Sequence, residues 1–267
     1  MINATYGHGT HNDFVLVYDP EETLSITSAQ TAAICNRETG IGADGLIKIA
    51  RRNGQWFMDY RNSDGSIAEM CGNGIRVMAR YLVDRGYQPE GIFAIDTRAG
   101  KRHLRAPAKG DVTVNMGQVT DEMEEITAAN NGKIWNGYHI SVGNPHAVVF
   151  VDSMDDVGSL ENPPVVRPKD SYPEGVNVEF VEFQPNGELK MRVHERGSGE
   201  TQSCGTGTCA VALAATLKTG KKLPATWVIY PPGGRLVVEV DAHSNAILTG
   251  PAELVSEHDI EPFLYDK

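Results

Sequence analysis

The chain is poor in cysteine, in positive charge and in long apolar runs, and each shortage removes a class of protein. Four cysteines in 267 residues, Cys35, Cys71, Cys204 and Cys209, are too few and too scattered for a secreted disulfide framework. Neither a Cys-x-x-Cys nor a His-Glu-x-x-His pattern is present, so no familiar zinc or redox motif is available. Lysine and arginine number 24 against 35 acidic residues, a formal charge of −11. That balance argues against nucleic acid as a partner, which needs a concentrated basic surface, but allows a local basic pocket for a small carboxylate. No apolar run reaches the roughly 18 residues of a membrane span, and the opening MINATYGHGT has neither the basic flank nor the apolar stretch of an export signal. The expected setting is a reducing cytoplasm, with free thiols, no metal and no membrane.

Short strand-like runs recur at residues 14–18, 56–60, 93–96, 146–151, 176–183 and 236–240, separated by turn sequences such as Gln184-Pro-Asn-Gly187. Helical periodicity is rarer and covers 28–36, 74–85 and 207–219. Ile75, Met78, Ala79 and Leu82 share one face in the second, as do Ala210, Leu213, Ala214 and Leu217 in the third. This pattern predicts an α+β fold. One passage then repeats itself. MDYRNSDGSIAEMCGNG begins at Met58 and MRVHERGSGETQSCGTG at Met191, and the same offset carries Cys71 onto Cys204. Each reads strand, polar loop, Cys-Gly-x-Gly, apolar helix, and an asparagine segment (Asn12-Asp-Phe-Val, Asn144-Pro-His-Ala) precedes each at similar distance. Two related halves are expected: 1–118 carrying Cys71 and 119–267 carrying Cys204, with the last few residues free to pack back on the first half. The junction is expected in the polar, Gly-containing stretch between Gly117 and Gly137. The alternative is a pair of tight strand-to-helix turns, each with a small buried cysteine.

A thiol at a helix N-terminus meets unpaired backbone N–H groups and the positive end of the helix dipole. Both favour the thiolate and are expected to lower its pKa below the free value of about 8.5. The same N–H groups can hold a carboxylate. Inverting a carbon centre requires a base on one face and an acid on the other, with the roles exchanged in reverse, and two similar thiols meet that symmetry. No lysine context for pyridoxal phosphate and no cluster of metal ligands is visible, so a cofactor-free route is expected, with helix-end N–H groups stabilising charge on the substrate carboxylate.

At these residues the chain resembles the diaminopimelate epimerase family. The matches are Asn12-Asp-Phe14, Gly40-Ile-Gly-Ala-Asp44, Arg61-Asn-x-Asp-Gly65, Met70-Cys-Gly-Asn-Gly74, Gly143-Asn-Pro-His146, Gly175-Val-Asn177, Glu195-Arg-Gly197, Gly199-Glu-Thr201 and Ser203-Cys-Gly-Thr-Gly207, in the family's order across nearly the whole chain. The resemblance implies two pseudo-symmetric halves, each a small, mostly antiparallel sheet wrapped around a central helix, with the active site in the cleft between them. It implies interconversion of L,L- and meso-diaminopimelate in lysine and peptidoglycan precursor synthesis, without cofactor, in a possible homodimer. By the same resemblance Cys71 and Cys204 are the acid/base thiols. Gly72, Asn73, Gly205 and Thr206 supply helix-end donors, and Asn12, Asn62, Asn144, Asn177, Glu195 and Arg196 hold the distal amino-acid end. His146 is a candidate helper in proton transfer; a lone histidine has a structural reading of equal weight.

Gly45 stands where many relatives have Gln, His194 where an aromatic residue often precedes Glu-Arg, and His11 where many have glycine. These departures concern rim contacts, not the reaction. Proline racemase and hydroxyproline epimerase share the paired-cysteine design, but usually carry His at the position of Asn73 and lack the Glu195-Arg196 clamp. A phenazine-type isomerase would lack the thiols, and a non-catalytic amino-acid binding module would not need them. Gly40-x-Gly-x-x-Gly45 fits the dinucleotide fingerprint only in letters, because it follows a helix and leads into a strand. Cys35 and Cys209 read as small core residues, Arg51-Arg52 as a solvated turn, and His8 and His11 as a solvated loop.

Overall fold

The computed structural model describes residues 2–265. Contacts divide the chain into two compact units, Met1–Val114 with Gly250–Lys267, and Asn115–Thr249. The expected extents were 1–118 and 119–267; the whole tail from Gly250, not just its last few residues, joins the first unit. The stretch expected to hold the junction is regular structure. Residues 120–141 form a long hairpin of the second unit, whose polar composition reflects half-exposed strands.

The first unit contains β1 (Asn3–Gly9), β2 (Asn12–Tyr18), α1 (Ser28–Cys35), β3 (Gly45–Arg52), β4 (Gln55–Asn62), α2 (Gly72–Asp84), β5 (Gly91–Thr97) and β6 (Gly100–Ala106); β7 (Val112–Gln118) runs across the junction. The second contains β8 (Thr120–Asn130), β9 (Lys133–Ser141), β10 (Pro145–Phe150), β11 (Val165–Arg167), β12 (Asn177–Phe183), β13 (Leu189–Glu195), β14 (Gly199–Thr201), α3 (Gly205–Thr219), β15 (Ala225–Tyr230), β16 (Leu236–Val240) and β17 (Asn245–Gly250). The chain then returns as β18 (Glu253–Asp259) and a last turn, α4 (Glu261–Leu264).

Strand pairing carries the duplication further than the sequence does. From β1 to β5 neighbours pair antiparallel, parallel, antiparallel, parallel. Along β9, β10, β12, β13 and β15 the order is the same. β18 lies antiparallel on β1 as β8 does on β9, so the C-terminal strand fills in the first unit the place that β8 fills in the second.

Each sheet wraps its own long helix. α2 packs against β1, β2, β3, β6 and β18, and α3 against β8, β9, β10, β12, β15 and β16. In β2, Phe14, Val15, Leu16 and Val17 are all fully buried. The alternation expected of a half-exposed strand is missing because both faces are covered. Val15 and Val17 join Ile34, Cys35 and Leu46 in the layer under α1, while Phe14 reaches the first turn of α2, where it lies beside Gly74. Burying side chains of this size stabilises by about 1.5–3 kcal/mol each. Glycine is needed at position 74: a Cβ there would stand 2.9 Å from Ile47 Cδ1 and 3.0 Å from Met58 Cε.

The helices start two residues earlier than their apolar periodicity indicates, at Gly72 and Gly205, so that each cysteine is the N-cap itself. Two decoys resolve differently from expectation. Arg51 and Arg52 end β3, and Arg52 pairs with Glu22 at 2.6 Å; the turn is Asn53-Gly54. His8 belongs to strand β1, half-buried, with its ring stacked on that of His11 in the following turn.

Candidate active site

In the first unit Cys71 caps α2 with extended backbone and is partly exposed. Asn12, the first residue of β2, places its Oδ1 3.5 Å from the Cys71 sulfur and 3.1 Å from Asn73 Nδ2. Gly72 and Asn73 form the buried first turn of α2. Asn62 ends β4 opposite Gly45, and its amide donates to Ser66 Oγ at 2.9 Å. Gly45 explains itself: a Cβ would come within 2.6 Å of both the Arg61 carbonyl and Tyr60 Cε2, so a glutamine would not fit this backbone. Sequence reading quoted Asp44 as part of a motif without giving it a role. Its carboxylate accepts from Asn12 Nδ2 at 2.7 Å and shares Arg37 with Asp13. Burial and the charge of Asp13 raise the pKa of Asp44. That of Asp13 is lowered against its own burial by hydrogen bonds from Arg37 and Tyr6.

The second unit repeats the plan with different chemistry. Asn144 lies just ahead of β10, and His146 within it stands in register with Asn177 of β12, as Phe14 stands with Gly45. His146 Nε2 is 3.1 Å from Asn144 Oδ1, Asn144 Nδ2 is 3.4 Å from Thr206 Oγ1, and that hydroxyl is 3.5 Å from the Cys204 sulfur. The Gly207 N–H donates to the same sulfur at 3.3 Å. Glu195 ends β13, accepts a hydrogen bond from Thr201 and reaches Cys204. Asn177 Oδ1 accepts the Arg196 N–H at 2.9 Å. The Arg196 guanidinium stays half-exposed beside Glu174, with Gly175 against its stem. Gly205 and Thr206 form the first turn of α3.

Sequence reading missed Glu179, which is wholly buried and sits 2.7 Å from His146 Nδ1. The available signal was its place between Val178 and Phe180; Glu182 of the same strand is a second charge, and it is only partly buried. Room for it comes from Gly207, where a Cβ would meet Glu179 Oε1 at 2.6 Å. Arg76, also fully buried, lies on the amphipathic helix α2, which carries Arg80 and Asp84 as well.

The expected lowering of thiol pKa is overturned at Cys204. Burial pushes this thiol well above its ordinary value, and the charges of Glu195 and Glu179 push the same way, outweighing the donors at Thr206 and Gly207. Burial likewise raises Glu195.

A duplicated α+β unit with a cysteine at the entrance of each central helix defines an isomerase fold of the epimerase type. A solved Bacillus anthracis phenazine biosynthesis protein of the PhzF family superposes with a TM-score of 0.75 over 96% of this chain and 98% of its own, at 15% identity. A hydroxyproline epimerase from Agrobacterium vitis superposes with 0.71 over 96% and 91%, also at 15% identity. At that identity the likeness is one of fold. The family model for diaminopimelate epimerase matches this chain twice, at residues 4–121 and 138–255, and the chain belongs to that family. Diaminopimelate epimerases of Streptomyces coelicolor (45% identical over 96% of this chain and 94% of theirs) and Thermobifida fusca (42% over 95% and 96%) are similar along nearly their full length.

Proposed function

We propose that this chain epimerises L,L-2,6-diaminopimelate to meso-diaminopimelate in the cytoplasm, supplying lysine and peptidoglycan synthesis, and that it works without a cofactor, as a homodimer. The observation that carries the reading is the repeated placement of one thiol at the N-cap of each unit's central helix, together with near full-length family membership.

Cys71 and Cys204 are the acid/base pair. As one sulfur, in its thiolate form, takes the α-proton, the C–H electron pair moves onto the substrate carbon and carboxylate. The other thiol then delivers its proton to the opposite face, and the two sulfurs have exchanged protonation states. The developing charge is held by helix-end N–H groups at Gly72, Asn73, Gly205 and Thr206, which need no reorganisation at the moment of transfer. The distal amino-acid end, which is not inverted, is taken by Asn12, Asn62, Asn144, Asn177, Glu195 and Arg196: a guanidinium suits its carboxylate, and amide and carboxylate oxygens suit its ammonium. His146 assists proton transfer. Glu195 also lies beside Cys204, within hydrogen-bond reach of the thiol.

Incubation of the purified protein with L,L-diaminopimelate in D₂O, followed by chiral separation and mass analysis, tests this. One deuterium at the inverted α-carbon of the meso product is expected. Absence of both inversion and exchange, or equal turnover of trans-4-hydroxy-L-proline, would overturn it.

A further inference from the structure

One hydrogen-bond chain of the first unit has its direction fixed at both ends by an arginine. Arg37 Nη2 donates to Asp44 Oδ1 at 2.8 Å, and Asp44 Oδ2 accepts from Asn12 Nδ2 at 2.7 Å and from the Asp13 N–H at 3.2 Å. The Asn12 amide therefore turns its oxygen the other way, where Asn73 Nδ2 donates to it at 3.1 Å. Asn73 Oδ1 in turn accepts from Nη1 of the buried Arg76 at 3.0 Å. A guanidinium only donates, so neither amide can flip without setting donor against donor. The Cys71 sulfur lies 3.5 Å from Asn12 Oδ1, an atom that accepts and cannot donate.

We propose that Asp44 and Arg76 are positioning residues that lock the Asn12 amide with its oxygen toward Cys71 and so hold this sulfur as the protonated thiol in the substrate-free enzyme. The proposal rests on the reading of Cys71 as an acid/base group. The second unit sets its amide the opposite way. Asn144 Oδ1 faces His146, its Nδ2 faces Thr206, and the Thr206 hydroxyl and Gly207 N–H are left to donate to Cys204. The two sites differ in the groups beside the sulfur: an amide oxygen at Cys71, and a carboxyl, a hydroxyl and a backbone N–H at Cys204. The charged groups that belong to this chain of hydrogen bonds are Arg37 after α1, Asp13 on β2, Asp44 ahead of β3 and Arg76 on α2, and Tyr6 on β1 donates to Asp13.

Peptide-resolved iodoacetamide labelling of the full chain across pH, without substrate, tests the proposal. In the unmodified protein the Cys71 midpoint is expected above the free-thiol value of about 8.5; a midpoint below it overturns the proposal. In Asp44→Ala the Asn12 N–H₂ group loses its acceptor, releasing the Asn12 amide. The Cys71 midpoint is then expected to fall by about one unit, making labelling at pH 7 roughly tenfold faster, with Cys209 unchanged. Arg76→Lys, which keeps the charge but loses the fork, is expected to move it the same way by less. An unmoved or raised Cys71 midpoint in either folded variant also overturns the proposal. Labelling without substrate is independent of turnover, so failure here is distinguishable from failure of the epimerase reading, which isotope exchange reports.

Discussion

His146 Nδ1 stands 2.7 Å from Glu179 Oε1, and neither side chain has any solvent-accessible surface. The second oxygen of Glu179 has no hydrogen-bond partner, so the carboxylate depends on the histidine. Removing one partner of a buried hydrogen bond leaves the other unsatisfied, which costs about 1–3 kcal/mol. Glu179→Ala is expected to lose stability on that scale, and Glu179→Gln, which can still bond the ring, distinctly less. Urea midpoints at constant m-value check the ranking.

Replacing either Cys71 or Cys204 by alanine removes one face's acid/base group. Both variants are expected to fold, since neither sulfur is in a disulfide and each sits at a helix cap. Turnover of diaminopimelate should fall by about 10²–10⁴-fold or more. Near-normal inversion by either variant would defeat the two-thiol mechanism.

Arg196 is exposed enough that its loss should leave the fold alone. Arg196→Lys keeps the charge without the planar fork, and we expect a marked drop in kcat/KM for diaminopimelate with an unchanged melting temperature. Unaltered kinetics would remove Arg196 from the distal clamp.

Gly74→Ala places a methyl among Ile47, Met58 and Phe14, at 2.9, 3.0 and 3.2 Å. Overpacking of this kind costs about 1–3 kcal/mol, more than the usual gain from alanine in a helix. Thermal denaturation should show a lower midpoint, and a rise would mean that the core yields more readily than its packing implies.

Alkaline pH should destabilise the chain through its buried thiols. Burial pushes Cys35 up to about 12 and Cys204 well above its ordinary value. A group whose pKa is higher folded than unfolded holds its proton in the native state, so stability is intact below the unfolded thiol value and falls as pH rises toward the folded one. Each such thiol removes up to about 1.4 kcal/mol per pH unit above that onset. Urea midpoints should be flat from pH 7 to about 8.5 and then decline, and Cys35→Ala should decline less steeply. Parallel curves for the two proteins would show that Cys35 titrates as if exposed.

The strand–loop–cysteine–helix passages were legible in the sequence because they rest on local signals: apolar periodicity over 75–82 and 210–217, and Gly-rich turns ahead of each helix. Their repetition made the two-unit α+β plan readable before any contact was known. What surrounds each thiol was not readable, because Asp44 and Glu179 meet partners on other elements, and Arg76 bonds the first turn of its own helix inside a buried setting. A charged residue in a mixed segment looks alike whether it is solvated or clamped.

The sequence by itself determined where the two cysteines stand, each at the start of a central helix, since helix initiation is a matter of a few neighbouring residues. Tertiary structure decided the rest. It took the segment from Gly250 out of the second half and gave it to the first as β18, because an edge strand pairs with whichever partner offers unmet backbone groups. It turned the polar stretch after Gly117 into a hairpin by the same pairing. And it raised the Cys204 pKa where the helix end alone would lower it, because burial and two nearby carboxylates act through space on a scale that no local pattern records.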